Sequence, residues 1–139
     1  MEQTDYIKTF KNEYELKFGK GPELSGLIEL WEGFVETCID GFGDSIFEYW
    51  DEVGIRSKIE FILHNSKLSE FPEHRMFQQK ILELDNKLRD ILLDIGLKGE
   101  YWWEKSILKY AYDEYVDDAK KYHNISIKSL GSSDWGIGE

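Results

Sequence analysis

Along most of the chain, apolar residues recur at steps of three and four, the spacing that puts them on one face of a helix. From about Asp5 to Phe18, the residues Ile7, Phe10, Tyr14 and Phe18 share a face, and Thr4 or Asp5 is placed to cap the N-terminus. Gly19 to Pro22 stops this helix, and Pro22 suits the first turn of the next. The second helix carries Leu24, Leu27, Ile28, Trp31, Phe34, Val35, Cys38 and Ile39, a stripe broad enough to face a core. Gly41 to Asp44 breaks the pattern, and Asp44 or Ser45 caps a third segment. That segment reads as one kinked helix or two joined near Gly54, with Ile46, Trp50 and Val53 inward first, then Ile55, Ile59 and Ile62.

After a polar loop, Phe77, Ile81, Leu84, Leu88, Ile91 and Ile95 alternate steps of four and three. Such a repeat predicts a buried helix packed at a shallow angle in a bundle. Gly96 and Gly99 end it, and Glu100 to Tyr122 reads as a last helix with Leu108, Tyr112, Tyr115, Ala119 and Tyr122 on one face. Ile125 and Ile127 fit a short extended piece, and the Gly/Ser-rich residues 131–139 read as a flexible tail. The expected fold is all-α: a single-domain bundle of five or six helices over residues 1–130.

Composition narrows the function classes. At 139 residues, with 41% hydrophobic and 15% aromatic residues, the chain is built to bury a core and is no disordered acidic tail. The net charge of −11 opposes binding to a nucleic-acid backbone or to an anionic membrane surface, and draws basic proteins instead. One cysteine, Cys38, excludes an internal disulfide and a multi-cysteine zinc site. The N-terminal stretch has no apolar core of signal-peptide length, and no stretch approaches the roughly 20 apolar residues of a membrane span. A cytoplasmic location is expected.

Catalytic signals are sparse. A di-metal site of the ferritin type needs Glu three residues before His, but Phe61, Phe71 and Lys120 precede His64, His74 and His123. Glu60 and His64 are four apart, as are Glu70 and His74, a spacing that more often gives surface hydrogen bonds. Cys38 lies on the apolar stripe, where a thiol is usually inert. No nucleophile elbow or phosphate-binding loop is present. The reading is of a protein without catalysis, metal or cofactor.

The strongest signal is charge. Between Gly21 and Ile55 there are nine acids and no Lys or Arg, while the rest of the chain holds nineteen acids against all seventeen bases. On the second helix Glu29, Glu32, Glu36 and Asp40 fall within an arc of about 80°. Like charges at this spacing cost roughly 0.2–0.5 kcal/mol per pair, so a helix tuned for stability alone would avoid them. We take Glu29, Glu32, Glu36, Asp40, Asp44, Glu48, Asp51 and Glu52 as candidate partner-binding residues; the competing reading is a solvated face that keeps the protein soluble. Tyr101-Trp102-Trp103 is a second candidate contact, set against a bulky element packing on the bundle. Trp135 either folds back or serves a partner.

A small, acidic, helical chain with such a run and no catalytic motif resembles the immunity proteins of bacterial toxin systems. The contact-dependent growth inhibition type is similar in character, as are the acidic helical immunity proteins of nuclease bacteriocins. The resemblance implies a tight one-to-one complex with a basic, nuclease-like toxin whose active site is covered, and it transfers no residue by matching. The alternatives are an acidic adaptor or DNA-mimic regulator of a basic host protein, and a helical metal-binding enzyme.

Overall fold

Six α-helices make up well over half of residues 4–132, the part of the chain that the structure, a computed structural model, describes. The helices are α1 (Asp5–Phe18), α2 (Leu24–Gly41), α3 (Ile46–Val53), α4 (Ile55–Leu63), α5 (His74–Arg89) and α6 (Asp113–His123), with 3-10 turns at Leu68–Glu70 and Trp102–Glu104. Two small sheets complete it. Strand β1 (Leu92–Asp94) pairs antiparallel with β2 (Ser106–Leu108), and β3 (Tyr110–Ala111) pairs parallel with β4 (Lys128–Ser129). The fold is mostly α, as the periodicity predicts.

The chain divides into two compact units, each assembled from two separate stretches. The first takes the residues through Gly33 together with Ile55–Asn86; the second takes Phe34–Gly54 together with the chain from Lys87 on. From residue 133 on, the expected tail lies outside the described residues.

In the first unit, the Thr4 hydroxyl accepts from the Ile7 N–H at 3.1 Å and so fixes the start of α1. The buried face of α1 is Tyr6, Phe10 and Tyr14; Ile7 and Phe18 are half-buried. Leu27, Trp31, Ile59, Ile62, Leu68 and Ile81 are at most 1% exposed and form the centre of this core.

An aromatic cluster fills the second unit. Tyr49 of α3 meets Tyr115 of α6 edge to face at 5.5 Å, and the Phe42 ring stands against both, at 5.7 and 6.0 Å. Such tilted contacts align ring edges with ring faces, the arrangement that their quadrupoles favour. Gly41 ends α2 at φ 128°, where a Cβ would strike the Tyr112 ring, so the turn into Phe42 requires glycine. Ser45 caps α3, its hydroxyl accepting from the Glu48 N–H. Asn124, in the left-handed region at φ 56°, closes α6.

Two expected helices are corrected. The last one begins only at Asp113, not at Glu100, and ahead of it Ser106, Ile107 and Leu108 are buried in succession. Consecutive burial fits no single helix face, whereas a short strand enclosed on both sides accommodates it. The Glu104 carboxylate accepts from the N–H groups of Glu100 and Tyr101, which winds this segment into a 3-10 turn. The helix of the seven-residue repeat stops at Arg89, so Ile91 and Ile95 lie beyond it, both half-buried. Among the smaller details, Tyr49 and not Trp50 is fully buried on α3, and Ile39 is exposed. Strand β4 begins one residue after Ile127.

Candidate functional site

In α3, Ile46, Tyr49 and Val53 are buried, Trp50 is half-buried and the other four residues face solvent. Glu48, Asp51 and Glu52 are exposed there, with Asp44 exposed just ahead of the cap. Asp44 Oδ1 accepts from the Ser45 N–H at 2.8 Å. The Glu52 carboxyl titrates above the ordinary glutamate range. Loss of hydration is the main cause, followed by the charges of Glu48, Asp44 and Asp51; protonated Glu52 also hydrogen-bonds Glu48. These four acids therefore form one electrostatic group. Asp51 and Glu52 sit in the last turn of α3, where the helix dipole is negative and no base is present. Asp40 occupies the same unfavourable position in α2.

Because its folded pKa is raised, Glu52 adds full stability below the unfolded value of 4.5 and loses it as the pH rises through the folded value. Glu52→Gln should therefore be more stable than the parent at neutral pH, by about 0.2–0.5 kcal/mol for each relieved like-charge pair. The difference should vanish below pH 4.5, and thermal melts at several pH values measure it.

The acids of α2 are placed differently. Glu29 is exposed, and Glu32 is half-buried with Lys80 Nζ 3.2 Å from its carboxylate; both belong to the first unit. Glu36 and Asp40 belong to the second unit and share a shallow recess with Lys87 and Asp90. A run without bases in sequence thus acquires bases in space, from α5. The structure gathers Asp44, Glu48, Asp51 and Glu52, and places compensating lysines near the α2 acids.

Two buried polar networks in the first unit escape sequence reasoning. Asp85, 6% exposed, accepts from Trp31 Nε1 (3.1 Å), Arg56 Nε (3.0 Å) and Arg56 Nη2 (2.7 Å). Arg56 Nη1 continues to Glu60 at 2.8 Å, and Glu60 to the exposed His64 at 2.9 Å. In the second network, His74 Nε2 lies 3.0 Å from the Leu63 carbonyl, which can only accept, so in the neutral ring that nitrogen carries the hydrogen. His74 Nδ1 then accepts from the Tyr6 hydroxyl at 2.7 Å. Burial, aided by the charge of Glu73, pushes Tyr6 up to about 12. Both networks satisfy buried groups internally, which makes them parts of the core.

The residues singled out for chemistry are placed as follows. Glu60 pairs with His64, whereas His74 turns to Tyr6 and Leu63 rather than to Glu70. No three His, Cys, Asp or Glu side chains among the described residues are grouped to hold a metal ion. Cys38 is fully buried, and burial, with the charge of Glu52, pushes its thiol well above the usual range, which suppresses the reactive thiolate. Tyr101 stacks on Trp103 at 4.5 Å, Trp102 stands edge-on to Trp103, and the Arg89 guanidinium covers Trp102 at 4.6 Å. Trp103 is buried at 1% exposure, and Tyr101 and Trp102 are half-buried. Trp135 lies outside the described residues. No described helix is long and apolar enough to cross a membrane. Against known proteins, no family model, curated protein or solved structure matches the chain.

Proposed function

We propose that this chain is a non-catalytic binding module that neutralises a basic, nuclease-like toxin in the cytoplasm through its acidic surface, in the manner of a bacterial immunity protein. The observation that carries the reading is the group Asp44, Glu48, Asp51 and Glu52, four exposed carboxylates on and beside one short helix, of which Asp51 and Glu52 stand at the negative end of the α3 dipole. Folding rewards Asp44 and Glu48, at the positive end of α3, but not Asp51 and Glu52 at its negative end, whereas a cationic partner rewards all four. A toxin that grips phosphates presents Lys and Arg, and a pre-ordered acidic helix meets them with the same charge pattern and draws them from a distance.

Charge reversal by Glu48→Lys with Asp51→Lys tests the reading. Circular dichroism and melting should show a fold retained, since the repulsion relieved offsets the favourable N-terminal position that Glu48 gives up. Cells making the cognate toxin should lose protection, and the association rate should drop with a weaker salt dependence. Glu32→Gln, which removes an acid already paired with Lys80, should have little effect on binding. Undiminished protection by the doubly reversed variant would reduce the acids to a solvated face.

A further inference from the structure

We infer that the exposed ring pair Phe47–Tyr122 is the anchor of this surface and receives an arginine side chain of the basic protein partner, an inference that rests on the binding role proposed above. Phe47 of α3 is 54% exposed and Tyr122 of α6 is 50% exposed, yet the rings meet edge to face at 5.0 Å. Single exposed apolar residues are ordinary on protein surfaces; two aromatic rings held in contact and left half open are less so. The pair is held in place from below, where Asp118, one turn before Tyr122, accepts from the Ile46 N–H at 3.0 Å beside Phe47.

Charge complementarity selects the occupant. Asp51 lies one helical turn after Phe47 on the same side of α3, and Asp44 stands just ahead of the helix cap. The Tyr122 ring already attracts a cation, with Lys121 Nζ 5.1 Å from its centroid. A guanidinium satisfies both features at once, lying flat on a ring while its fork reaches a carboxylate, which an ammonium does not match. A second copy of this chain would bring the same acids against each other, and an anionic lipid surface is repelled likewise.

The test titrates the full chain, by NMR, with three acetylated and amidated pentapeptides, Gly-X-Gly-X-Gly, where X is arginine, lysine or citrulline. Arginine should bind roughly two- to fivefold tighter than lysine, and citrulline should not bind. Phe47→Ala with Tyr122→Ala should bring arginine down to the lysine level, with unchanged circular dichroism, and Phe47→Tyr should retain the preference. Asp51→Asn should weaken both cationic peptides. Equal binding of arginine and lysine, or a preference that survives the double alanine change, overturns the anchor; continued dependence on Asp51 then leaves the acidic-surface reading standing. Loss of that dependence as well removes both. Sedimentation showing a dimer that the double alanine variant dissolves would also overturn the inference, assigning the ring pair to a second copy.

Discussion

Replacing Asp85 by alanine should destabilise the protein by about 3–5 kcal/mol, the usual cost of stranding one partner of a buried ion pair. Asp85 holds three donors, two of them on Arg56, which is itself 4% exposed. Without it, the guanidinium loses two hydrogen bonds and its buried counter-charge while keeping the bond to Glu60, and the Trp31 indole N–H loses its bond to Asp85. An uncompensated buried charge costs more than the pair contributes, so removing both charges should be far milder. Arg56→Met combined with Asp85→Leu should recover much of the loss in urea denaturation, short of the Trp31 bond to Asp85. Asp85→Asn should fall between, since it keeps one acceptor and loses the charge. A loss below about 1 kcal/mol for Asp85→Ala would mean that Arg56 swings out to water and that the network contributes little.

Helices α1, α2 and α5 were legible because each carries one apolar stripe bounded by Gly19, Gly41 or a polar loop, while the sequence left α3 and α4 open as one kinked helix or two joined near Gly54. The caps were legible to within one residue, Thr4 or Asp5 and Asp44 or Ser45, and in each pair the hydroxyl three residues ahead of a free N–H is the cap. The segment from Trp102 to Ala111 was not. Its shape depends on partners distant in sequence, such as the Tyr112 N–H donated to the Phe42 carbonyl at 3.1 Å and the pairing of Leu92 with Leu108. The Leu108 N–H goes to the Tyr115 hydroxyl instead of to a helix carbonyl. Local periodicity cannot register such bonds, and a run of Ile, Leu, Tyr and Ala reads equally well as helix.

The candidate surface was legible in the same limited way. The charge run showed which residues are acidic, but not that Lys80 lies 48 positions away in sequence and 3.2 Å away in space from Glu32. Exposure of Phe47 had only a weak signal, its place one step off the Ile46, Tyr49 and Val53 face. Asp85 had a misleading one. It directly follows Leu84 on the seven-residue repeat and looks like the polar edge of the stripe, yet it is buried. Helical position fixes the direction of a side chain; burial also depends on what packs there.

The same repeat supplies the other large expected effect. Leu84→Ala and Leu88→Ala should each cost about 2–5 kcal/mol, because both side chains are at most 1% exposed and truncation leaves a cavity. Ile95 continues the repeat on paper, so sequence alone assigns Ile95→Ala a similar cost. The structure assigns less. Ile95 lies past the end of α5, is only half-buried, and holds its position through its backbone N–H, donated to the Lys105 carbonyl at 3.1 Å. Alanine keeps that bond and gives up a side chain already partly in water, a loss of about 1 kcal/mol by the apolar area involved. Urea midpoints for the three variants decide between the two assignments. Equal losses at Leu88 and Ile95 would extend the helix through Ile95 and dissolve β1. A loss at Ile95 several times smaller would show that Arg89 ends the helix, and that the repeat outlasts it by two residues of the pattern.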